Sequence, residues 1–298
     1  MALKYLITGA TGGLGKQVLR HFVENVPLSE FAAASSKASN RFMFEDRGIA
    51  FRHVDYNDPE SLDTGLRDVE NLLFVSSSGL GRIEQHGSLI NAAKKAGVKH
   101  VWYTSLAFGG FENSSRSPVQ AEHVETERLL KESGLTYTSI REGAYAEAFP
   151  LFLDWQLERT KLILPADGEV AFTLRADLGE ATARIMIRGG YENQIVLLTA
   201  GETITARRIV DVINETTGRQ IKLEIVSREE YIRRSSTEDT RGKPKEHFEM
   251  IATIWNDIAD GALSTIHPLM RGILGREPTK PRDALRLLLT EDRDYMYP

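Results

Sequence analysis

The chain has 298 residues, of which 41% are hydrophobic and 27% charged, and its formal net charge at pH 7 is −5. This composition is typical of a folded globular protein, and it lacks the basic excess that nucleic-acid-binding proteins carry. The absence of cysteine excludes disulfides, thiolate catalysis and cysteine-bound metal sites. No apolar run approaches the ~18–20 residues of a membrane span, and the segment before Gly9 is too short for a signal-peptide core. We therefore expect a cytosolic protein.

The first half of the chain alternates short β-branched runs with amphipathic helical patterns, which is typical of βαβ units around a parallel sheet. The predicted strands are Tyr5–Thr8, Phe31–Ala34, Ala50–Val54, Asn71–Val75, Lys99–Tyr103 and Thr136–Ile140. The predicted helices cover residues 13–24, 82–96 and 119–133, and another begins at Asp58 and Pro59. This alternation predicts an α/β fold, with a Rossmann-type doubly wound parallel sheet that binds NAD(P) in residues 1–150.

Residues 151–298 follow a different pattern, which predicts a smaller C-terminal α/β substrate lobe with some strands returning to the first sheet. The segment Arg175–Asp177 is predicted to cap a helix that ends at Gly189. A strand at 195–199, a helix at 205–217, a strand at 221–226 and polar helices are predicted to follow. The polar stretch Arg228–Lys245 is predicted to be either a solvated surface loop or a mobile lid.

The first predicted strand runs into the glycine-rich sequence TGATGGLG, in which Gly9, Gly12 and Gly15 are three residues apart. Gly9 permits a tight turn, Gly12 lets backbone N–H groups approach a pyrophosphate, and Gly15 lets the next helix pack closely. The N-terminus of that helix then faces the anion. Glycines of an ordinary turn are the alternative to this dinucleotide-binding turn. Its predicted cofactor-binding residues are Gly9, Thr11, Gly12, Gly13, Leu14 and Gly15.

The residue that contacts the ribose 2′ position is expected about 20 residues after the glycines, where an acid would select NAD. The chain has Ser35 and Ser36 there, followed by Lys37 and Arg41, with no acid before Glu45. Hydroxyl and cationic groups suit a 2′-phosphate, which a carboxylate would repel. The sequence therefore favours NADPH, although cations that merely cover a surface turn would give the same pattern.

Two further strand ends carry polar residues that can contact the cofactor. Asp55 follows the third strand, where it can bind the adenine amino group or cap the next turn. Ser76 and Ser77 follow the fourth strand, where they can lie along the nicotinamide-side ribose or form an ordinary serine turn. All three are therefore candidate cofactor-binding residues.

These segments resemble the NmrA-like family of atypical short-chain dehydrogenases/reductases, and within it the NADPH-dependent quinone oxidoreductases. The resemblance covers residues 3–230, with the motifs YTSL at 103–106, AEHVETE at 121–127, GLTYTSIREGAY at 134–145 and RADLGEA at 175–181. It implies a Rossmann lobe and a small C-terminal lobe with the site between them. It also implies NADPH as the cofactor and Gly143 as a further cofactor contact.

The chain departs from the related enzymes in its proton donor. Most short-chain reductases use Tyr-x-x-x-Lys, and no tyrosine of this chain has lysine four residues later. By alignment of the motif, His123 takes this place, and an imidazole with the usual pKa near 6.5 would donate a proton at neutral pH. Turnover would then fall above roughly pH 6–7.5. The catalytic candidates are His123, Ser105 and Tyr145, and the aromatic lining candidates are Tyr103, Tyr145 and Phe149.

Other roles for these residues stay open on the sequence alone. His123 can be structural, paired with Glu127 one helical turn later, whereas a metal at this pair would lack a third ligand. Glu142 stands where members of the family commonly carry a neutral residue or proline. It can orient a phenol near the nicotinamide or pair with Arg141.

We therefore expect an NADPH-dependent oxidoreductase that transfers hydride to a quinone, an enone or a related aromatic or polyketide carbonyl compound. The resemblance also implies a place in secondary metabolism. The alternatives are a non-catalytic NADP-sensing regulatory protein that binds a protein partner, and an isomerase or dehydratase-like enzyme. A small-molecule substrate is expected, with neither nucleic acid nor membrane as a partner. The oligomeric state stays open, with a homodimer as one option.

Overall fold

The structure is a computed structural model that describes residues 2–79 and 81–297. The chain divides into two compact units, each made of three segments. Unit 1 comprises Met1–Leu106, Ala121–Arg141 and Arg175–Leu198, and unit 2 comprises Ala107–Gln120, Glu142–Leu174 and Thr199–Pro298. Part of the chain after residue 150 therefore belongs to the same unit as the N-terminal strands.

Eleven strands are found in the described residues. They are β1 (Leu3–Ile7), β2 (Phe31–Ser35), β3 (Ala50–His53), β4 (Val69–Phe74), β5 (His100–Leu106), β6 (Thr136–Glu142), β7 (Lys161–Leu164), β8 (Glu169–Val170), β9 (Gln194–Leu198), β10 (Ile204–Thr205) and β11 (Lys222–Ile225). Seven of them form one sheet in the order β3-β2-β1-β4-β5-β6-β9. β1 lies parallel to β2 and β4, β2 to β3, and β4 to β5. The strand order reverses at β1, which confirms the predicted Rossmann-type doubly wound sheet.

The helices lie largely where the sequence predicts them in the first half of the chain. They are α1 (Gly13–Asn25), α2 (Arg41–Glu45), α3 (Pro59–Gly65), α4 (Arg82–Ala96), α5 (Pro118–Ser133), α6 (Phe149–Phe152), α7 (Arg175–Arg188), α8 (Ala206–Thr217), α9 (Arg228–Glu238), α10 (Lys245–Ala259), α11 (Leu269–Leu274) and α12 (Pro281–Glu291). Within the described ranges, no helix has both the length and the apolar composition that crossing a membrane requires.

The sheet of unit 1 is buried because its strands are continuously apolar, as parallel strands covered on both faces are. β2, with the sequence FAAAS, is buried along its whole length. Leu6, Leu72 and Phe74 pack in one core cluster with Leu89 of α4 and Leu130 of α5. This packing fixes the ends of β1, β4 and β5, from which the candidate site residues extend.

Local signals set the ends of several helices. Asp58 is the N-cap of α3, and its carboxylate accepts a hydrogen bond from the backbone N–H of Glu60 at 3.1 Å, as predicted. α7 ends at Arg188, and Gly189, which follows it, has a φ of +73°. The predicted cap at Arg175–Asp177 is wrong, because α7 already begins at Arg175 and these three residues form its first turn.

Unit 2 contains two small sheets, in which β7 lies parallel to β11 and β8 lies antiparallel to β10. The C-terminal helices have apolar faces that the prediction of polar helices missed. Phe248, Ile251 and Trp255 of α10 are buried, and the indole N–H of Trp255 donates to the carbonyl of Phe152 at 2.8 Å. Helix α10 is therefore part of the core of unit 2.

The prediction of a solvated surface loop over Arg228–Lys245 is wrong, whereas the alternative of a mobile lid stays a prediction. The segment contains α9, whose N-cap Ser227 accepts a hydrogen bond from the N–H of Glu230 at 3.2 Å. Tyr231 and Ser235 have no exposed surface. They are four residues apart and so share one helix face. The burial of a serine on that face gave no apolar signal in the sequence, and the segment is a packed helix followed by a short turn.

Candidate active site

The glycine-rich turn is too tight for side chains at two of its positions. Gly9 has a φ of +61°, and a Cβ there would lie 3.0 Å from Cβ of Val75. A Cβ at Gly15 would overlap the carbonyl oxygen of Gly9. The N–H of Gly12 donates to this same carbonyl at 2.8 Å. The end of β1 and the start of α1 therefore approach so closely that only glycine fits.

The N-terminus of α1 is open to an anion. Its N-cap, Gly12, has no side chain, and the first turn contains no acidic residue. Thr11, Gly12 and Gly13 are exposed, whereas Leu14 is buried and anchors the helix. The first N–H groups of a helix have no partner within the helix and carry its positive dipole end. The turn therefore fits the pyrophosphate of a dinucleotide.

A cavity of about 430 Å³ opens beside this turn, between α1 and α2. Thr11, Lys16 and Arg20 line it from the turn and α1, and Met43 and Arg47 line it from α2 and the residues after it. The sequence interpretation missed these cations, although Lys16 and Arg20 are four residues apart and so share a helix face. The cavity adds positive charge next to the predicted dinucleotide site.

The residues predicted to bind the 2′-phosphate differ in whether their side chains already have partners within the protein. The hydroxyl of Ser35 accepts hydrogen bonds from the N–H of Lys37 at 3.3 Å and from the Asn40 amide at 2.9 Å. The guanidinium of Arg41 donates to Glu45 at 2.9 Å. The ammonium of Lys37 is exposed and has no ion pair or hydrogen bond to any described residue. Lys37 is therefore more available than Arg41 to bind a phosphate, and Ser36 beside it is also exposed.

Asp55 and Ser76, which are also predicted to contact the cofactor, form hydrogen bonds within the protein. The carboxylate of Asp55 accepts a hydrogen bond from the N–H of Asn57 at 2.9 Å, which is the capping role left open by the sequence. The N–H of Ser76 donates to the hydroxyl of Thr104 at 2.9 Å. Ser77, like Ser76, is only half-buried. Asp55, Ser76 and Ser77 therefore lie after the ends of β3 and β4, as the sequence predicts, and their side chains stay partly exposed.

His123 lies in α5 with 3% of its surface exposed, and its Nδ1 is 2.7 Å from the hydroxyl of Tyr103 on β5. Burial lowers the pKa of His123 well below its usual 6.5, and the positive charges of Arg82 and Arg141 lower it further. The ring is therefore neutral at physiological pH. The expectation of an imidazolium at neutral pH is wrong, because the sequence did not reveal how deeply the ring is buried.

Glu127 is occupied by partners other than His123. Its carboxylate pairs with the guanidinium of Arg141 at 2.5 Å and accepts hydrogen bonds from the hydroxyls of Ser105 at 2.8 Å and Ser139 at 2.7 Å. The pairing of His123 with Glu127 that the sequence left open is therefore absent from the described residues. The same part of the chain has no cluster of three or more histidine and acidic side chains that could hold a metal.

The remaining candidates belong to unit 2. The hydroxyl of Tyr145 donates to the carboxylate of Glu142 at 2.5 Å, so this carboxylate does contact a phenol. Glu142 is fully buried. A Cβ at Gly143 would overlap the hydroxyl oxygen of Thr173, which gives this glycine a packing role. Phe149 has no exposed surface and belongs to the core.

Gln120 is a residue that the sequence interpretation missed. It lies in the first turn of α5 with 1% of its surface exposed. Neither polar atom of its amide has a hydrogen-bond partner among the described residues. A buried amide without partners is uncommon in native proteins. No sequence pattern distinguishes it, because a glutamine near a helix start is ordinarily solvated.

Comparison with known proteins gives consistent similarities. The profile of the NmrA-like family matches residues 2–260. The NmrA-like family domain-containing oxidoreductase flvB of Aspergillus flavus is 54% identical over 300 residues, which are 99% of this chain and 98% of that protein.

Solved structures agree with this result. The structure of NADPH-dependent quinone oxidoreductase QOR2 from Escherichia coli, complexed with NADPH, matches with a TM-score of 0.85 and 31% identity over 96% of this chain and 99% of that one. Triphenylmethane reductase from Citrobacter sp., complexed with NADP(H), matches with a TM-score of 0.82 and 28% identity over 95% and 99%. The similarity in fold therefore extends over nearly the entire chain.

Proposed function

The chain belongs to the NmrA-like family and is an NADPH-dependent reductase, and we propose that its substrate is a quinone, an enone or a related aromatic or polyketide carbonyl compound. The net reaction with a quinone consumes NADPH and one proton and yields NADP⁺ and the hydroquinone. NADPH supplies the hydride when it is bound. The protein binds and orients both molecules and stabilises the negative charge that develops on the substrate oxygen.

The residues of unit 1 fit the proposed cofactor. The open N-terminus of α1 after Gly12 would hold the pyrophosphate, and Lys37 and Ser36 would hold the 2′-phosphate. The cations Lys16 and Arg47 of the neighbouring cavity add to the positive charge there. Ser76, at the end of β4, would contact the nicotinamide-side ribose.

The observation that carries the choice of substrate is the neutral, buried ring of His123, in a chain without Tyr-x-x-x-Lys. A neutral imidazole can donate a hydrogen bond to a developing oxyanion, but it gives up its proton far less readily than an imidazolium. Reduced quinones and enones are delocalised anions, which need less help from a proton donor than the localised alkoxide of a simple ketone. His123 therefore suits the first two substrate classes.

Ser105 is the other hydroxyl group proposed for the site. Its hydrogen points to the carboxylate of Glu127, and only 1% of its surface is exposed. Glu127 is in turn neutralised by Arg141. We therefore assign proton delivery to water and the hydrogen bond to the developing oxyanion to His123, and give Ser105 the role of holding Glu127.

The test is a steady-state assay with naphthoquinone, cyclohexenone and cyclohexanone, in which the absorbance of NADPH reports its oxidation. We expect kcat/KM to fall in this order, by at least about tenfold between the quinone and the saturated ketone. His123→Ala should slow reduction of the enone more than that of the quinone, because the enone depends more on the hydrogen-bond donor.

Three outcomes would overturn the proposal. Reduction of cyclohexanone as fast as naphthoquinone would contradict the substrate class. Tight binding of NADPH without turnover of any acceptor in a broad panel would favour a cofactor-sensing regulatory protein. Conversion of an acceptor without net oxidation of NADPH would favour an isomerase.

A further inference from the structure

We propose that Tyr103 is a positioning residue, whose hydroxyl holds the neutral ring of His123 in the tautomer that carries hydrogen on Nε2. This inference rests on the proposed function of His123 and deepens it. It makes the histidine a preorganised hydrogen-bond donor toward the substrate oxygen. The evidence is a cluster of hydrogen bonds inside unit 1, in which one series joins Ser77, His86 and Thr126 and a separate bond joins Tyr103 to Nδ1 of His123.

The series of hydrogen bonds begins at Ser77, three residues after the end of β4. Its backbone N–H donates to Nε2 of His86 at 3.0 Å. A backbone N–H can only donate, so Nε2 of His86 is an acceptor and carries no hydrogen. Burial lowers the pKa of His86 to about 3, which leaves the ring neutral. Its single ring hydrogen is therefore on Nδ1.

The next link is Thr126 on α5. Nδ1 of His86 lies 2.8 Å from the hydroxyl oxygen of Thr126 and donates to it. The Thr126 hydroxyl can in turn donate to the carbonyl of Glu122, one turn earlier, at 3.0 Å. Because its oxygen already accepts a hydrogen bond from His86, it is a weakened acceptor for the hydroxyl of Tyr103.

The separate bond in this cluster joins the hydroxyl of Tyr103 to Nδ1 of His123 over 2.7 Å. Burial raises the pKa of Tyr103, so the phenol keeps its hydrogen. The lone pair of a neutral imidazole nitrogen is a stronger acceptor than a phenol oxygen, and a phenol is a stronger acid than the N–H of an imidazole. The hydroxyl of Tyr103 therefore donates to Nδ1 of His123, and the hydrogen of the ring must lie on Nε2.

Nε2 of His123 remains for the substrate. No described residue forms a hydrogen bond with it. A fixed N–H that needs no reorientation stabilises developing negative charge better than a ring that samples both tautomers. Tyr103 itself has no exposed surface and so acts through His123.

The test combines spectroscopy with kinetics. In protein labelled with ¹⁵N-histidine, with the His123 signals assigned by His123→Asn, two-bond ¹H–¹⁵N spectra show which ring nitrogen carries hydrogen. We expect hydrogen on Nε2 in the wild type and a mixture of both tautomers in Tyr103→Phe. The same variant should lose about tenfold in kcat, with KM and the NADPH dissociation constant within about twofold of wild type.

Tyr137→Phe on β6 is the matched control, because it removes a hydroxyl from another largely buried tyrosine that does not belong to this cluster of hydrogen bonds. It should change neither the His123 signals nor kcat. A His123 ring with hydrogen on Nδ1 in the wild type would overturn the proposal, even if Tyr103→Phe failed to fold. So would a folded Tyr103→Phe with wild-type kcat. The spectra need no substrate, so they distinguish failure of this inference from failure of the proposed function.

Discussion

The guanidinium of Arg141 lies 2.5 Å from the carboxylate of Glu127, and both side chains are buried. Glu127 follows His123 by one helical turn, at the spacing of an ion pair along a helix. Arg141 reaches Glu127 from β6, and the two serine hydroxyls on Glu127 complete its hydrogen bonding. This arrangement leaves His123 without an acidic partner, and its ring is bound by Tyr103 alone among the described residues.

Removal of the charge on Glu127 should destabilise the protein strongly. Glu127→Gln removes the carboxylate that pairs with the buried Arg141 guanidinium, which costs about 3–5 kcal/mol in the free energy of unfolding measured in urea. Glu132→Gln, on the exposed side of the same helix, should cost no more than about 0.5 kcal/mol. Equal stabilities for the two variants would contradict a structural role for the buried pair.

His123→Ala should lower turnover of the best quinone about ten- to a hundredfold and leave the affinity for NADPH nearly unchanged. Burial keeps the pKa of His123 well below 6.5. The ring is therefore neutral at pH values above this lowered pKa and becomes charged only below it. Turnover in the wild type should therefore stay constant between about pH 6 and pH 8. A falling limb with a midpoint in this range, absent from His123→Ala, would show that an imidazolium is the donor after all.

Gly15→Ala should disrupt the glycine-rich turn, because the added Cβ would overlap the carbonyl oxygen of Gly9. We expect a loss of about 1–3 kcal/mol in stability and more than about tenfold in NADPH affinity. Gly87→Ala in α4 is the matched control, since no atom lies within 4 Å of its Cβ position. It should stabilise the protein by roughly 0.5–1 kcal/mol. Thermal unfolding and NADPH titration measure both effects.

Lys37→Ala should reduce discrimination between the two nicotinamide cofactors. One charge-assisted hydrogen bond to the 2′-phosphate is worth about 1.5–3 kcal/mol, so the affinity for NADPH should fall about tenfold or more. The affinity for NADH should not change. Lys95→Ala, which removes another exposed lysine, paired with Asp63 at the end of α4, is the control for net charge. An unchanged preference would assign the 2′-phosphate to the cations Lys16, Arg20 and Arg47 instead.

Gln120→Leu should raise the free energy of unfolding by about 1 kcal/mol, because it removes a buried amide that has no described partner. Gln85→Leu replaces a less buried glutamine and should change stability by no more than about 0.5 kcal/mol. Differential scanning calorimetry measures both. A lower stability of Gln120→Leu would mean that ordered water satisfies the amide.

The order of strands and helices in the first half of the chain followed from local features of the sequence. The apolar run of β2, the cap at Asp58 and the glycines of the first turn predict their structures because the deciding contacts lie within a few residues. The need for glycine at position 15 is equally local, since the atom that excludes a side chain is the carbonyl oxygen of Gly9.

The state of the candidate proton donor depended instead on residues far away in the chain. The sequence identified His123 but predicted an ordinary pKa, whereas burial together with the charges of Arg82 on α4 and Arg141 on β6 makes the ring neutral. The sequence likewise missed helix α9, because a serine such as Ser235 is expected on the surface, whereas the fold buries it completely. Burial sums contributions from many sequence-distant groups, so periodicity and spacing along one segment cannot specify it.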